Sequence, residues 1–243
     1  MSVLSGLFRH TAPLGLQGLT DCHSHLLPGV DDGVGTPEEA LEMLGRLEAL
    51  GVRTVWLTPH VMDDLPNPTA MLRERFAALR DAYGGGLTLH LGAENMLDAL
   101  FLERLAAGDV LPVGRRADML LVETSCYGAP VNLTGTFEAV RRAGYHPLVA
   151  HPERYAYVGG PDEYRRWKEA GARLQLNLLS LAGHYGPEAK DKAEAMLVAG
   201  MYDCVGTDLH GERHVQALAR MRLRKNIITH LTQFLTDDKM DFH

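Results

Sequence analysis

An α/β fold, with a parallel sheet closed into a barrel, is the fold class this sequence predicts. Short apolar runs alternate with stretches of helical period along nearly the whole chain. Glycines stand where a helix hands over to the next strand. The reactive polar residues collect at the strand ends that face one side, where barrel active sites are built. A length of 243 residues suits one domain of this kind. An open, doubly wound sheet is the competing arrangement.

Residues 1–18 read as an N-terminal leader and 19–243 as a single domain. The leader holds Arg9, His10 and Pro13 but no sustained apolar run, so it lacks the pattern of a signal peptide. It is expected to be a tail or a cap on the barrel bottom, with a membrane or partner contact through Leu4, Leu7 and Phe8 as the alternative. The first strand covers 19–23. Thr36-Pro37-Glu38-Glu39 then supplies a helix N-cap, a first-turn proline and a capping-box glutamate. Ala40, Leu44, Leu47 and Leu50 follow helical spacing, and Gly51 ends that helix. A buried strand follows over 52–58. Further helices are expected over 69–82, 97–107, 132–143, 161–170, 187–199 and 213–235, and further strands over 87–91, 119–123, 147–150, 173–177 and 202–206. Gly144, Gly171 and Gly200 each sit between a helix and the next strand.

Bulk properties narrow the function. The net charge of −7 argues against a nucleic-acid partner. Three scattered cysteines give neither a disulfide framework nor a CxxC pair, which fits a reducing cytoplasm. No stretch approaches the ~20 apolar residues that span a bilayer.

The strand ends carry the chemistry. The first delivers Asp21, His23 and His25, then the turn Val30-Asp31-Asp32-Gly33. The second ends in His60, the third in Glu94 and the fourth in Glu123. The fifth ends in His151-Pro152-Glu153-Arg154, the sixth offers Asn177, and the seventh ends in Asp208-Leu209-His210. Residues two apart on a strand face the same side, so His23 and His25 can address one metal. Taken singly, His60, His151 and His210 are as readily structural histidines. Glu94 and Glu123 change the balance, because an unpaired carboxylate at the end of a buried strand costs several kcal/mol. Imidazoles and carboxylates gathered at one end share a single explanation in divalent zinc, manganese or iron. Such sites activate water and clamp phosphoryl oxygens. Arg154 and Arg213 are the candidate cationic donors to an anionic substrate, with structural ion pairing as the alternative for each.

These blocks resemble the PHP (polymerase and histidinol phosphatase) superfamily, most closely its bacterial tyrosine-phosphatase branch of CpsB/YwqE type. The matching stretches run in family order from residue 20 to about 220: Asp21 to His25 with Leu27 to Gly33, Thr58-Pro59-His60, Gly92-Ala93-Glu94, Val122-Glu123, His151 to Tyr155, Gln175 to Asn177 and Gly206 to His210. The resemblance implies a distorted (β/α)7 TIM-like barrel holding three divalent ions per chain, manganese first, with iron, zinc or magnesium as alternatives. It assigns His23, His25, Glu94 and Asp208 to one metal, Glu94, Glu123 and His151 to a second, and Asp32, His60 and His210 to a third. Glutamate at position 123, where other branches usually carry histidine, favours the tyrosine-phosphatase branch. The implied activity is metal-dependent hydrolysis of phosphotyrosine by a metal-bridging hydroxide. Arg154 and Arg213 would hold phosphate, and His210 or a metal-bound water would act as proton donor. The implied partner is a phosphotyrosine protein, a bacterial tyrosine kinase of capsular or exopolysaccharide export.

Thiol-based phosphatases need arginine six positions after the reactive cysteine. Cys22, Cys126 and Cys204 are followed there by Pro28, Asn132 and His210, so these cysteines read as small hydrophobes. The alternative function is hydrolysis of a small phosphomonoester such as histidinol phosphate on the same site. A metal-dependent amidohydrolase would usually carry a carbamylated lysine where Glu123 stands, and a noncatalytic metal module would bind metal without turnover.

Overall fold

The computed structural model describes residues 11–235. In chain order its strands are β1 (Thr11–Pro13), β2 (Thr20–Ser24), β3 (Thr54–Leu57), β4 (His60–Val61), β5 (Thr88–Leu91), β6 (Glu94–Met96), β7 (Met119–Glu123), β8 (His146–Val149), β9 (Arg173–Asn177), β10 (Cys204–Gly206) and β11 (Arg222–Arg224). Its α-helices are α1 (Pro37–Ala49), α2 (Thr69–Ala82), α3 (Ala99–Ala107), α4 (Leu133–Arg142), α5 (Pro161–Glu169), α6 (Leu178–Leu181), α7 (Pro187–Val198), α8 (Glu212–Arg220) and α9 (Lys225–Leu231). The capping box at the head of α1 forms as expected: Thr36 Oγ1 accepts from the Glu39 N–H, and Glu39 Oε2 accepts from the Thr36 N–H.

Three strands pair in the order β2-β3-β5 and six in the order β10-β9-β8-β7-β6-β4, all parallel. The break between the sheets has a local cause. Pro59 lacks an N–H and separates β3 from β4, while Gly92 and Ala93 separate β5 from β6. Hydrogen bonds still cross the break: the Gly92 N–H donates to Leu57 O at 2.8 Å and the Glu94 N–H to Pro59 O at 3.0 Å. At the opposite edge the Asp208 N–H donates to His23 O at 2.8 Å, and the His25 N–H donates to Leu209 O at 2.9 Å. The parallel strands therefore form a curled sheet whose first and last members meet.

The curl divides the apolar residues. Cys22, Trp56, Met119, Leu121, Leu148 and Cys204, from five strands of both sheets, form a small core. The larger core lies between the sheets and the helices. There Ala40, Met43, Leu44 and Leu47 turn one stripe of α1 inward, and each fully buried leucine contributes about 1.5–3 kcal/mol.

The end of the chain departs from expectation. The single helix expected over 213–235 is α8, then β11, then α9 and a 3-10 turn at Thr232–Phe234. Arg222–Arg224 leaves the helix to pair antiparallel with Thr11–Pro13, so a tertiary pairing overrides a continuous helical pattern. This pairing also gives part of the leader a place in the fold. Leu4, Leu7 and Phe8, proposed as a contact surface, lie outside the described residues, as do 236–243.

Candidate metal centre

His23, in β2, and His25, one residue past its end, are fully buried, with their Nε2 atoms 3.0 Å apart. Both nitrogens face the same two carboxylate oxygens. Glu94 Oε2 lies 3.1 Å from His23 and 3.2 Å from His25, and Asp208 Oδ1 lies 3.5 Å and 3.3 Å away. The other ring nitrogens are engaged: His23 Nδ1 with Gln175 Oε1 at 3.1 Å, and His25 Nδ1 with Asp31 Oδ2 at 2.8 Å. An oxygen acceptor at Nδ1 fixes the proton there and leaves the Nε2 lone pair for a metal.

Local backbone makes this convergence possible. A register shift between Asp21 and Ser24 bends β2. A Cβ at Gly206 would stand 2.6 Å from His23 Cβ, so only glycine lets β10 pass this close. Gly33 likewise lies against His25, where a Cβ would fall 2.1 Å from the carbonyl oxygen, and its N–H donates to Asp31 Oδ1 at 3.0 Å. Asp208 and His151 both adopt positive φ, 52° and 33°. Left-handed backbone at a residue other than glycine is a cost that functional sites sustain.

The remaining candidates complete the cluster. His60 Nδ1 lies 3.1 Å from Glu94 Oε2 and 3.0 Å from Glu123 Oε1, and its Nε2 lies 3.6 Å from Asp32 Oδ1. His151 Nε2 meets Glu94 Oε1 at 2.9 Å and stands 3.9 Å from Glu123. His210 Nε2 faces the exposed Asp32 at 3.4 Å, while its Nδ1 bonds the Asp208 carbonyl at 2.8 Å. Three sets of potential ligand atoms emerge, each within 4.8 Å: His23, His25, Glu94 and Asp208; His25, Asp32, His60 and His210; and His60, Glu94 and Glu123. The first matches the expected ligand set for one metal. His60, assigned from the sequence to the third metal alone, stands between the second and third sets, and His151 approaches Glu94 from its other oxygen.

A divalent cation fits these donors. Glu94 Oε2, Glu123 Oε1 and His60 Nδ1 are buried and lie near one another without forming hydrogen bonds. Their alignment suits a shared positive centre better than shared protons. The charges agree. Burial opposes ionisation of Glu94, but His23, His60 and His151 outweigh it and hold the carboxyl well below its usual range. Burial also opposes the His60 cation, yet Glu94 and Glu123 raise it to about 9. The His210 hydrogen bond takes Asp32 down to about 2.

Arg154 leaves the 3-10 turn Pro152–Arg154 to donate through Nη1 to Asp208 Oδ2 at 2.7 Å, and its guanidinium lies 4.2 Å from the centre of the Tyr185 ring. It lines the same cleft as the candidate ligands Asp32, His60, Glu94, Glu123, His151, Asp208 and His210. Arg213 differs: it is exposed in the first turn of α8 and is absent from the cleft lining, where the neighbouring His214 appears instead. Sequence reasoning also missed Gln175, Tyr185 and the orienting role of Asp31. Asp31 carried a signal as the other half of the Asp31-Asp32 turn. Gln175 stood inside the matching stretch Gln175 to Asn177 without a role, and Tyr185 carried no signal; both reach the site only through the packing of β9 and the loop before α7.

The family model for capsular polysaccharide synthesis proteins, CpsB/CapC, matches residues 19–230. The chain belongs to this family. Among its relatives is the tyrosine-protein phosphatase YwqE of Bacillus subtilis, 28% identical over 229 residues, covering 90% of this chain and 89% of that protein. The tyrosine-protein phosphatase CpsB of Streptococcus pneumoniae is 26% identical over 202 residues, 79% of this chain and 83% of that one. In three dimensions the CpsB/CapC chain is similar to a structure from a crystallographic study of YwqE from Bacillus subtilis and CpsB from Streptococcus pneumoniae, described as unique metal-dependent tyrosine phosphatases. The TM-score is 0.76 at 24% identity, with 91% of this chain and 89% of that chain covered. It is also similar to a phosphotriesterase homology protein of Escherichia coli, crystallised with phosphate in its active site. That TM-score is 0.51 at 15% identity, with 93% of each chain covered. At these identities the structural likenesses establish the fold.

Proposed function

We propose that this protein is a metal-dependent phosphatase that hydrolyses phosphotyrosine in a partner protein, with its metal ions held by His23, His25, Asp32, His60, Glu94, Glu123, His151, Asp208 and His210. One observation carries the reading: imidazoles and carboxylates from strands of both sheets converge on Glu94 and Asp208, with Arg154 above them. Three ions, manganese first, suit the three sets of donors. The curled sheet acts as a distorted (β/α)7 TIM-like barrel, a reading supported by the hydrogen bonds that join β2 to the chain after β10. We further infer that residues 19–243 act as one phosphatase domain after the 1–18 leader, and that it works in the cytoplasm. The names of the relatives support a substrate among tyrosine kinases of capsular or exopolysaccharide export.

Bound divalent ions would supply an activated water and offset the charge of the phosphate oxygens. The chain's own residues do the rest. Asp31 and Gln175 hold the His25 and His23 rings so that Nε2 faces inward. Arg154 spends one donor on Asp208 and keeps others for phosphate oxygens as charge develops. His210 has its Nδ1 on the Asp208 carbonyl, which leaves Nε2 as a ligand atom, and it or a metal-bound water would donate the proton to the leaving group. No strong acid is needed: a tyrosyl phenolate leaves readily, with a pKa near ~10. Arg213, exposed and outside the cleft lining, takes no part in this scheme.

The test is turnover of a phosphotyrosyl peptide by the His151→Ala and Arg154→Ala variants, with metal content measured in each. We expect His151→Ala to lose metal and activity together, and Arg154→Ala to keep metal while activity falls about 10²–10³-fold. Activity surviving both substitutions contradicts the mechanism. Turnover of histidinol phosphate with none of the peptide overturns the substrate.

A further inference from the structure

A second cavity, of about 280 Å³, opens beside the metal cleft, whose own volume is about 330 Å³. The two share a wall made by Arg154 and Tyr185. In that wall the guanidinium lies over the Tyr185 ring, and both side chains reach Asp208 Oδ2, Arg154 at 2.7 Å and the Tyr185 hydroxyl at 3.3 Å. Whatever holds a phosphoryl group in the metal cleft therefore has the second cavity directly beyond Arg154. Cys126, Ala156 and Ala189 give this cavity an apolar part that the metal cleft lacks, beside the charged Glu153, Glu188 and Lys192.

Its rim carries an unusual side chain. Tyr127 is 89% exposed, one of the few large hydrophobic residues left open among those described. It belongs to the loop after β7, and that loop is tied to the far side of the cavity where the Ala156 N–H donates to Cys126 O at 2.8 Å. The floor is fixed by Lys192, whose Nζ donates to Tyr155 O at 3.1 Å and pairs with Glu188 at 3.2 Å. The cavity is thus preformed, with a cation-backed aromatic wall on one side and a free aromatic ring on its rim. Aromatic leaving groups gain from both features, through stacking on Tyr127 and packing against the Arg154–Tyr185 pair.

We propose that this second cavity is the leaving-group subsite, which takes the aromatic ring of the phosphotyrosyl side chain while its phosphate lies in the metal cleft. The proposal rests on the phosphatase reading above. It assigns Tyr127 and Ala189 a role in specificity, outside the catalytic machinery, and predicts discrimination against phosphomonoesters of small aliphatic alcohols.

Two variants test it on the metal-loaded, full-length protein. Ala189→Trp fills the cavity from α7. Tyr127→Ala removes an exposed ring, so the fold has no reason to change. KM for a phosphotyrosyl peptide is measured beside the inhibition constant of inorganic phosphate, which probes the metal cleft alone. The expected result is a KM raised more than about tenfold by Ala189→Trp and about three- to tenfold by Tyr127→Ala, with the phosphate constant within about twofold of wild type. An unchanged KM in both variants overturns the subsite. So does a rise in KM matched by an equal weakening of phosphate in both. A wild-type protein that binds phosphate but never turns over the peptide refutes the phosphatase reading itself, which keeps the two failures apart.

Discussion

Each imidazole at the metal centre has two nitrogens, and only one is free for a metal once the other has found a protein partner. For His25 that partner is Asp31, buried against the ring and bonded also to the backbone N–H groups of Gly33 and His60. Asp31→Asn keeps an acceptor of the same shape but removes the charge that makes the ring a strong donor. Divalent affinity is expected to fall about 10–100-fold with the fold intact, as read by calorimetric titration with manganese and by circular dichroism. Affinity within about twofold of wild type would remove Asp31 from the design. The proposed ligands at this scale were legible in the sequence because each stands where an apolar run stops, and carboxylates in such places need a partner. Tyr185 was not, because nothing in its neighbourhood distinguishes a tyrosine that will face a ligand from one that will face solvent, and Gln175, although inside a matching stretch, had no role there. Arg213 shows the converse: adjacency to His210 in sequence does not carry its side chain into the cleft.

Elements were legible where local signals agreed and obscure where a distant pairing decided. The helix over 69–82 and the strands over 119–123 and 173–177 occur where periodicity places them. The helix expected over 213–235 broke because Arg222–Arg224 finds β1 about 210 residues away, and no local pattern announces that. The β2–β10 seam is the most demanding contact between elements. Thr207 Oγ1 donates to Asp21 Oδ2 at 2.5 Å and the Thr207 N–H to Oδ1 at 2.8 Å, while Gly206 passes against His23. Gly206→Ala should force the strands apart, at a cost of about 1–3 kcal/mol in urea unfolding, and weaken metal binding in the same protein. Unchanged stability together with unchanged metal binding would show that the seam tolerates a Cβ.

The whole molecule brings the two ends of the parallel strand series to one point, since His23 comes from β2 and Asp208 follows β10. The curl gathers strand ends that are far apart in sequence around Glu94, and the net charge of −7 disfavours a nucleic-acid substrate. Because the proposed ligands span the sheet, metal occupancy and global stability should be linked. The central claim is that this cluster is a metal-dependent phosphatase site. Its most direct measurement is phosphotyrosyl-peptide turnover before exhaustive chelation, after it, and after return of manganese. The expected result is turnover lost with the metal and restored on its return. Turnover that persists in metal-free protein would contradict the account.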